Sequence, residues 1–204
     1  MDNDKIEAKL IENWDVYLNL IKRIENQKIS ENLSVLLREQ AERILVCPAS
    51  TKTTHIGAFP GGLVIHSLSV LRIMKEMNKV NGTNCSVDDM IVTALFHDIG
   101  KIGSSTEDYY LAQKSDWHKD RGILFEINPK LGNVPIVARS IWWLNNYNVN
   151  LNENVLEALF SLYSSAVNNR ISELYNVSNL SLLLQNSVRS SCVINKGKNS
   201  VLEI

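Results

Sequence analysis

The stretch "VTALFHDIGK", residues 92–101, runs apolar residues directly into an imidazole, a carboxylate and an ammonium: His97, Asp98 and Lys101. Upstream, "FPGGLVIHSLSVL" places His66 inside another apolar run. On a helix, residues three and four apart share a face. Met90, Ala94 and His97 then form one row, with Ile91, Leu95 and Asp98 beside it. Leu63, His66, Val70, Ile73 and Met77 step by three and four, which puts His66 at an interior position. A bare carboxylate in an apolar interior costs many kcal/mol, and the group normally takes up a proton instead. A bound cation removes that cost. Imidazole nitrogen and carboxylate oxygen suit a divalent manganese, iron, cobalt, nickel or zinc ion. Two alternatives stand beside the metal reading. His66 alone fits a hydrogen-bonded core histidine, and Asp98 alone fits a helix cap or a pair with Lys101.

The elements that would position these groups read as helices almost throughout. Ile6, Leu10, Trp14, Tyr17, Ile21 and Ile24 recur at helical spacing and predict a first amphipathic helix. A second is expected from an N-cap at Ser30 through Leu33, Leu36, Leu37 and Ile44, ending before Pro48. "PASTKTTHIGAFPGG", residues 48–62, is a loop closing in a Pro-Gly-Gly turn. Helices are expected at 63–79 and then from an N-cap at Ser86, with Gly100 as the stop of the second. A short helix near Ser115 or Asp116 follows, then one holding Ile141, Trp142, Leu144 and Tyr147, then two at 152–167 and 178–190. No strand alternation stands out, so the expected class is all-α. Trp142 and Trp143 are adjacent and cannot easily share one buried face, which leaves one for a partner, a ligand base or a wide packing interface.

The 204 residues suit one domain with an appendage. Apolar residues at 45% and charged residues at 21% are ordinary for a globular chain, and a net charge of −1 supplies no field for polyanions. Without a basic stripe carrying aromatics, no nucleic-acid partner is expected. Cys47, Cys85 and Cys192 are distant and odd in number, fitting reduced thiols. "MDNDKIEAKL" lacks the basic and apolar parts of an export signal, and no run approaches the roughly 18 apolar residues of a membrane span. A cytoplasmic protein with no membrane partner is the expectation. Abundant asparagine fits an AT-rich genome, a phage among the sources it suggests.

Taken together, "FPGGLVIHSLSVL", "VDDMIVTALFHDIGKIG", "PAST…H…FPGGL" and "WHKDRG…N" resemble the HD-domain metal-dependent phosphohydrolases, in a bacterial and phage branch. The resemblance is good over 48–128 and divergent over 129–204. It implies an HD-domain helical bundle at 48–204 with an N-terminal helical appendage at 1–47. It also implies His66, His97 and Asp98 as metal ligands, with Asp98 additionally orienting water. Lys101 matches a basic residue near substrate phosphate. His118 resembles a histidine that contacts a second metal or substrate, the alternative being a surface histidine. His55 is placed to line the pocket, and Arg139 in "VARSIWW" resembles a retained basic position, the alternative being a helix salt bridge.

The family's late aspartate is missing. From Arg121 to Ile204 there is neither aspartate nor histidine, and the corresponding segment reads "LSLLLQNSVRSS". Gln185, Asn186, Glu173, Asp116 and Asp120 are the available substitutes. Two functional readings follow. One is a metal-dependent phosphohydrolase acting on a nucleotide or related phosphate ester. The other is a degenerate HD domain, a pseudoenzyme that binds nucleotide or metal as a regulatory or assembly module. The amphipathic N-terminal helices also suggest a homodimer.

Overall fold

The computed structural model describes residues 3–167, 177–198 and 200. Its helices are α1 (Asn3–Ile21), α2 (Gln27–Glu39), α3 (Ala41–Val46), α4 (Gly62–Asn81) and α5 (Val87–Phe96), then α6 (Asp116–Lys119), α7 (Ile136–Asn146), α8 (Glu153–Val167) and α9 (Asn179–Ile194). A 3-10 turn at Ile99–Ile102 follows α5. The all-α expectation holds, with one small addition. Strands β1 (Tyr110–Ala112) and β2 (Phe125–Ile127) pair antiparallel, Leu111 opposite Glu126, and enclose α6. Three residues per strand are too few to register as alternation.

Helix α4 is the axis of the bundle. It packs against α5 and α9, and α9 packs against α8. Residues 62–67 of α4 are buried on every side, which is why its apolar content exceeds one stripe. The core extends through Met74, Met90, Ile91, Leu95, Phe96, Leu144, Leu159 and Leu184. Each such side chain contributes about 1.5–3 kcal/mol on leaving water. Tyr17, Leu33, Leu36, Leu37 and Ile44 from the first three helices are buried in the same cluster. The Tyr17 hydroxyl donates to the Leu95 carbonyl, tying α1 to the last turn of α5.

Several boundaries differ from the sequence expectation. α1 stops at Ile21, and Ile24 is buried from the following turn instead. The N-cap of α2 is Asn26, whose side chain accepts from the Ile29 amide at 3.2 Å. Ser30 lies inside the helix and donates to the Ile21 carbonyl at 2.9 Å. The single helix expected through Ile44 is broken at Gln40. Beyond the break, α3 carries Arg43 to the carbonyls of Ile102 at 2.5 Å and Ser104 at 2.8 Å, and to Asp108 at 2.9 Å. Cys47 is extended, as the residue before Pro48 must be.

The Pro-Gly-Gly turn is used for two separate reasons. Gly61 has φ +84°, a left-handed conformation open to glycine. At Gly62 a Cβ would stand 2.0 Å from the Gly57 carbonyl oxygen, so only hydrogen fits. Ser86 caps α5 as expected. Gly100, however, is not the helix stop: α5 ends at Phe96 and the left-handed glycine is Gly103 at φ +98°. Gly100 is instead where α7 presses on the 3-10 turn, its would-be Cβ 2.4 Å from the Ile136 carbonyl oxygen. Among the described residues no helix is long and apolar enough to cross a membrane.

Candidate metal centre

His66 projects from the second turn of α4, while His97 and Asp98 leave the end of α5. Because α4 and α5 pack side by side, all three meet. One ligand atom from each of His66, His97 and Asp98 lies within 4.8 Å of the others. Asp98 Oδ2 is 3.5 Å from His97 Nε2 and 3.9 Å from His66 Nε2. The imidazole rings stand 5.3 Å apart, nearly edge to face. Both histidines are buried, and the Asp98 side chain is 16% exposed.

The hydrogen bonds decide which nitrogens are free. His97 Nδ1 lies 2.9 Å from the Ala94 carbonyl oxygen, which can only accept, so Nδ1 carries the proton. Its Nε2 is then a lone pair, and it is buried with no hydrogen-bond partner among the described residues. A buried unpaired acceptor facing a carboxylate is unfavourable, and a cation between them satisfies both. His66 Nδ1 contacts Ser191 Oγ on α9 at 3.1 Å, leaving its Nε2 toward Asp98. Burial pushes the His66 pKa down to about 3, with His97 adding to the effect, and burial also lowers that of His97. Both rings are therefore neutral near pH 7, the form that ligates metal.

Burial is the largest single influence on Asp98 and would raise its pKa, but the Lys101 ammonium together with His97 and His66 outweighs it and holds the carboxyl below the usual range. Lys101 Nζ donates to Asp98 Oδ2 at 2.5 Å and to the Ala49 carbonyl at 2.7 Å. Burial would lower the lysine pKa, and Asp98, with Tyr110 and Cys47, more than compensates. The sequence alternative of an Asp98–Lys101 pair is thus realised alongside the histidine cluster.

These groups form the floor of a cavity of about 790 Å³, a size suited to a small organic ligand. The 48–61 loop supplies Ala49, Ser50, Thr54, His55 and Ile56 to its wall, and α7 supplies Ile136 and Val137. α9 contributes Gln185, Val188, Arg189 and Cys192 at helical spacing, with Lys196 just beyond. His66, His97, Asp98, Lys101 and His55 are therefore brought to one cavity. His118 and Arg139 are not among its lining residues. His118 stands on α6 against Trp117, ring centroids 4.8 Å apart. Arg139 is buried on α7 against Tyr109 and lines a different cavity, because α7 turns that face away from the metal cluster.

Of the substitutes for the late aspartate, Gln185 reaches the cavity, its Nε2 3.4 Å from the Ser161 carbonyl. Asp116 pairs with Lys119 at 3.1 Å, and Asp116 and Asp120 are both exposed. Asn186 is absent from the cavity wall, and Glu173 lies outside the described residues. Among the described residues the metal-type cluster comprises His66, His97 and Asp98.

Sequence reasoning missed the residues that fasten this centre. Ser191 holds His66. Ser140 accepts from the Gly100 amide and donates to the His97 carbonyl, both at 2.9 Å, so α7 is pinned to both ends of the HD turn. Arg43 secures the backbone just after Lys101. Serines on amphipathic helices carry no pattern of their own, and Arg43 acts across about sixty residues of sequence.

Residues 63–156 match the HD domain family model. A 102-residue stretch, 50% of this chain, is 32% identical to the 3'-5' exoribonuclease YhaM of Oceanobacillus iheyensis, and it spans 29% of that protein's length. No solved structure matches. The inward His66, the paired His97 and Asp98, and the family match over the helices that carry them identify residues 63–156 of this chain as an HD domain.

Proposed function

We propose that this chain is a metal-dependent phosphohydrolase acting on a nucleotide-type phosphate ester. The observation that carries the reading is the meeting of three potential ligand atoms within 4.8 Å of one another on the floor of a nucleotide-sized cavity. His66 and His97 would hold a divalent cation through Nε2, with Asp98 as the anionic ligand. Such a cation lowers the pKa of bound water from 15.7 to about 7, which makes a nucleophile available at neutral pH. The chain's own residues do the remainder. The Asp98 carboxylate accepts a hydrogen bond from attacking water and orients it. Lys101, fixed by Asp98 and Ala49, presents positive charge to a phosphoryl oxygen as negative charge builds there. Arg189 and Lys196 on the α9 side add cationic charge along the wall, and His55 of the loop lines the same cavity.

Manganese, iron, cobalt, nickel and zinc all fit this donor set. The relative is named an exoribonuclease, which supports a ribonucleotide ester among the substrates to be tried first. The test is a hydrolysis screen with nucleoside mono-, di- and triphosphates in the presence of manganese or cobalt. Turnover that disappears in Asp98→Ala is the expected result.

A second reading is favoured by one specific observation. Lys101 already neutralises Asp98, and no fourth anionic ligand joins the cluster among the described residues. A non-catalytic binding module would show metal or nucleotide binding without turnover under any metal.

A further inference from the structure

Among the described residues the buried guanidinium of Arg139 has no counterion. The residue is 5% exposed, its Nη1 is buried without a hydrogen-bond partner, and Nη2 reaches only the Gly132 carbonyl at 3.5 Å. No carboxylate among the described residues lies within ion-pair distance of it. A guanidinium cannot shed its proton in a protein, so the charge is present whenever the chain is folded. It lines a second cavity, about 530 Å³, between the 104–107 loop, the 130–134 loop and α7. The two cavities have no lining residue in common.

The rest of that wall has a consistent chemistry. Trp142 follows Arg139 by three positions and so shares its face of α7; it lines the cavity and is 41% exposed. Trp143, its neighbour, is buried and donates to the Gly103 carbonyl at 2.9 Å, which fixes the helix and leaves Trp142 on the open side. Lys130 adds a second cation. Among the described residues Glu107 is the one carboxylate in the wall, and it is engaged by Lys130 at 3.0 Å and by Asn128 at 3.1 Å. Ser104 and Thr106 bring hydroxyl groups to the same rim. An indole face beside an unneutralised guanidinium suits a flat ring bearing an anionic group.

We propose that this second cavity is a binding site for a mononucleotide, with phosphate on Arg139 and the base against Trp142. The site is independent of the hydrolytic reading, since it uses none of the metal-cavity residues. Its nearness to the HD turn comes through α7, where Ser140 adjoins Arg139 in sequence and bonds both His97 and Gly100.

The test is titration of the full metal-free chain with AMP and, separately, with inorganic phosphate, followed by tryptophan fluorescence and calorimetry. AMP is expected to bind one site more tightly than phosphate and to quench fluorescence. Arg139→Gln should weaken both ligands at least tenfold. Trp142→Leu, a change at an exposed position that spares the core, should weaken AMP and remove the quenching while leaving phosphate unchanged. Ser187→Ala, a change at a residue that lines neither cavity, should leave AMP affinity as it was. Wild-type AMP binding that survives Trp142→Leu undiminished, that is no tighter than phosphate, or that is kept in Arg139→Gln would overturn the assignment. So would an absence of AMP binding to the wild-type chain.

Discussion

Ser191→Ala is a sharp probe of how the metal centre is built. Ser191 is fully buried on α9, and its hydroxyl lies 3.1 Å from His66 Nδ1. With Ser191 as acceptor, Nδ1 keeps the proton and Nε2 keeps the lone pair that faces Asp98. Alanine leaves His66 two options. Either Nδ1–H stays buried and unpaired, at a cost of about 1–3 kcal/mol, or the proton moves to Nε2 and abolishes the ligand atom. Asn195 also approaches Ser191 Oγ at 3.5 Å, but it retains Ser69 Oγ at 3.0 Å, so the loss falls on the histidine. Removing an outer hydrogen-bond partner of a ligating histidine typically weakens metal binding by about 10–100-fold. That is roughly 1.4–2.8 kcal/mol of affinity. The assay is calorimetric titration with manganese, using Ser187→Ala as control. Ser187 is equally buried on the same helix, but its hydroxyl contacts Met77 Sδ at 3.7 Å and not the centre. Manganese affinity should fall in Ser191→Ala and hold in Ser187→Ala. Equal affinities in the two variants would refute the orienting role.

Gly100→Ala should destabilise the fold by about 1–3 kcal/mol, because its Cβ would meet the Ile136 carbonyl oxygen at 2.4 Å and the Ser140 amide at 2.9 Å. Thermal melts should show Tm lower by roughly 2–12 °C, and an unchanged Tm would mean α7 is not seated as described. Lys101→Met should cut kcat by about 10²–10³-fold, as for loss of a charge stabiliser at the reacting centre. Metal content measured alongside should not fall, since the substitution frees Asp98. Burial raises the Cys47 pKa to about 12, whereas Cys192 is exposed on the cavity wall. Iodoacetamide at pH 8 should therefore label Cys192 well before Cys47 by peptide mapping, and a nucleotide held in the metal cavity should slow the Cys192 reaction.

What was legible in the sequence was whatever repeats with the helix. The interior placement of His66, His97 and Asp98 follows from three- and four-residue spacing against apolar neighbours, and the structure brings those three together. The same grounds leave one member of the tryptophan pair exposed, and it is Trp142. What spacing does not encode is contact between distant segments. The break at Gln40, the Ser191–His66 bond and the Arg43 clasp each depend on a partner far along the chain. Gly100 reads as a helix stop because a glycine after a helix usually marks a left-handed turn. Here close approach by α7 is the constraint, and Gly103 makes the turn. Arg139 matched a family position, yet the face of α7 that it occupies is set by how α7 seats on the 3-10 turn.

The most direct test of the metal centre is a zinc anomalous difference map from crystals of the metal-loaded chain. The account predicts one peak within roughly 2.0–2.2 Å of His66 Nε2, of His97 Nε2 and of an Asp98 carboxylate oxygen, absent from crystals of His97→Ala. A peak bound elsewhere, or one that persists unchanged without His97, would contradict it.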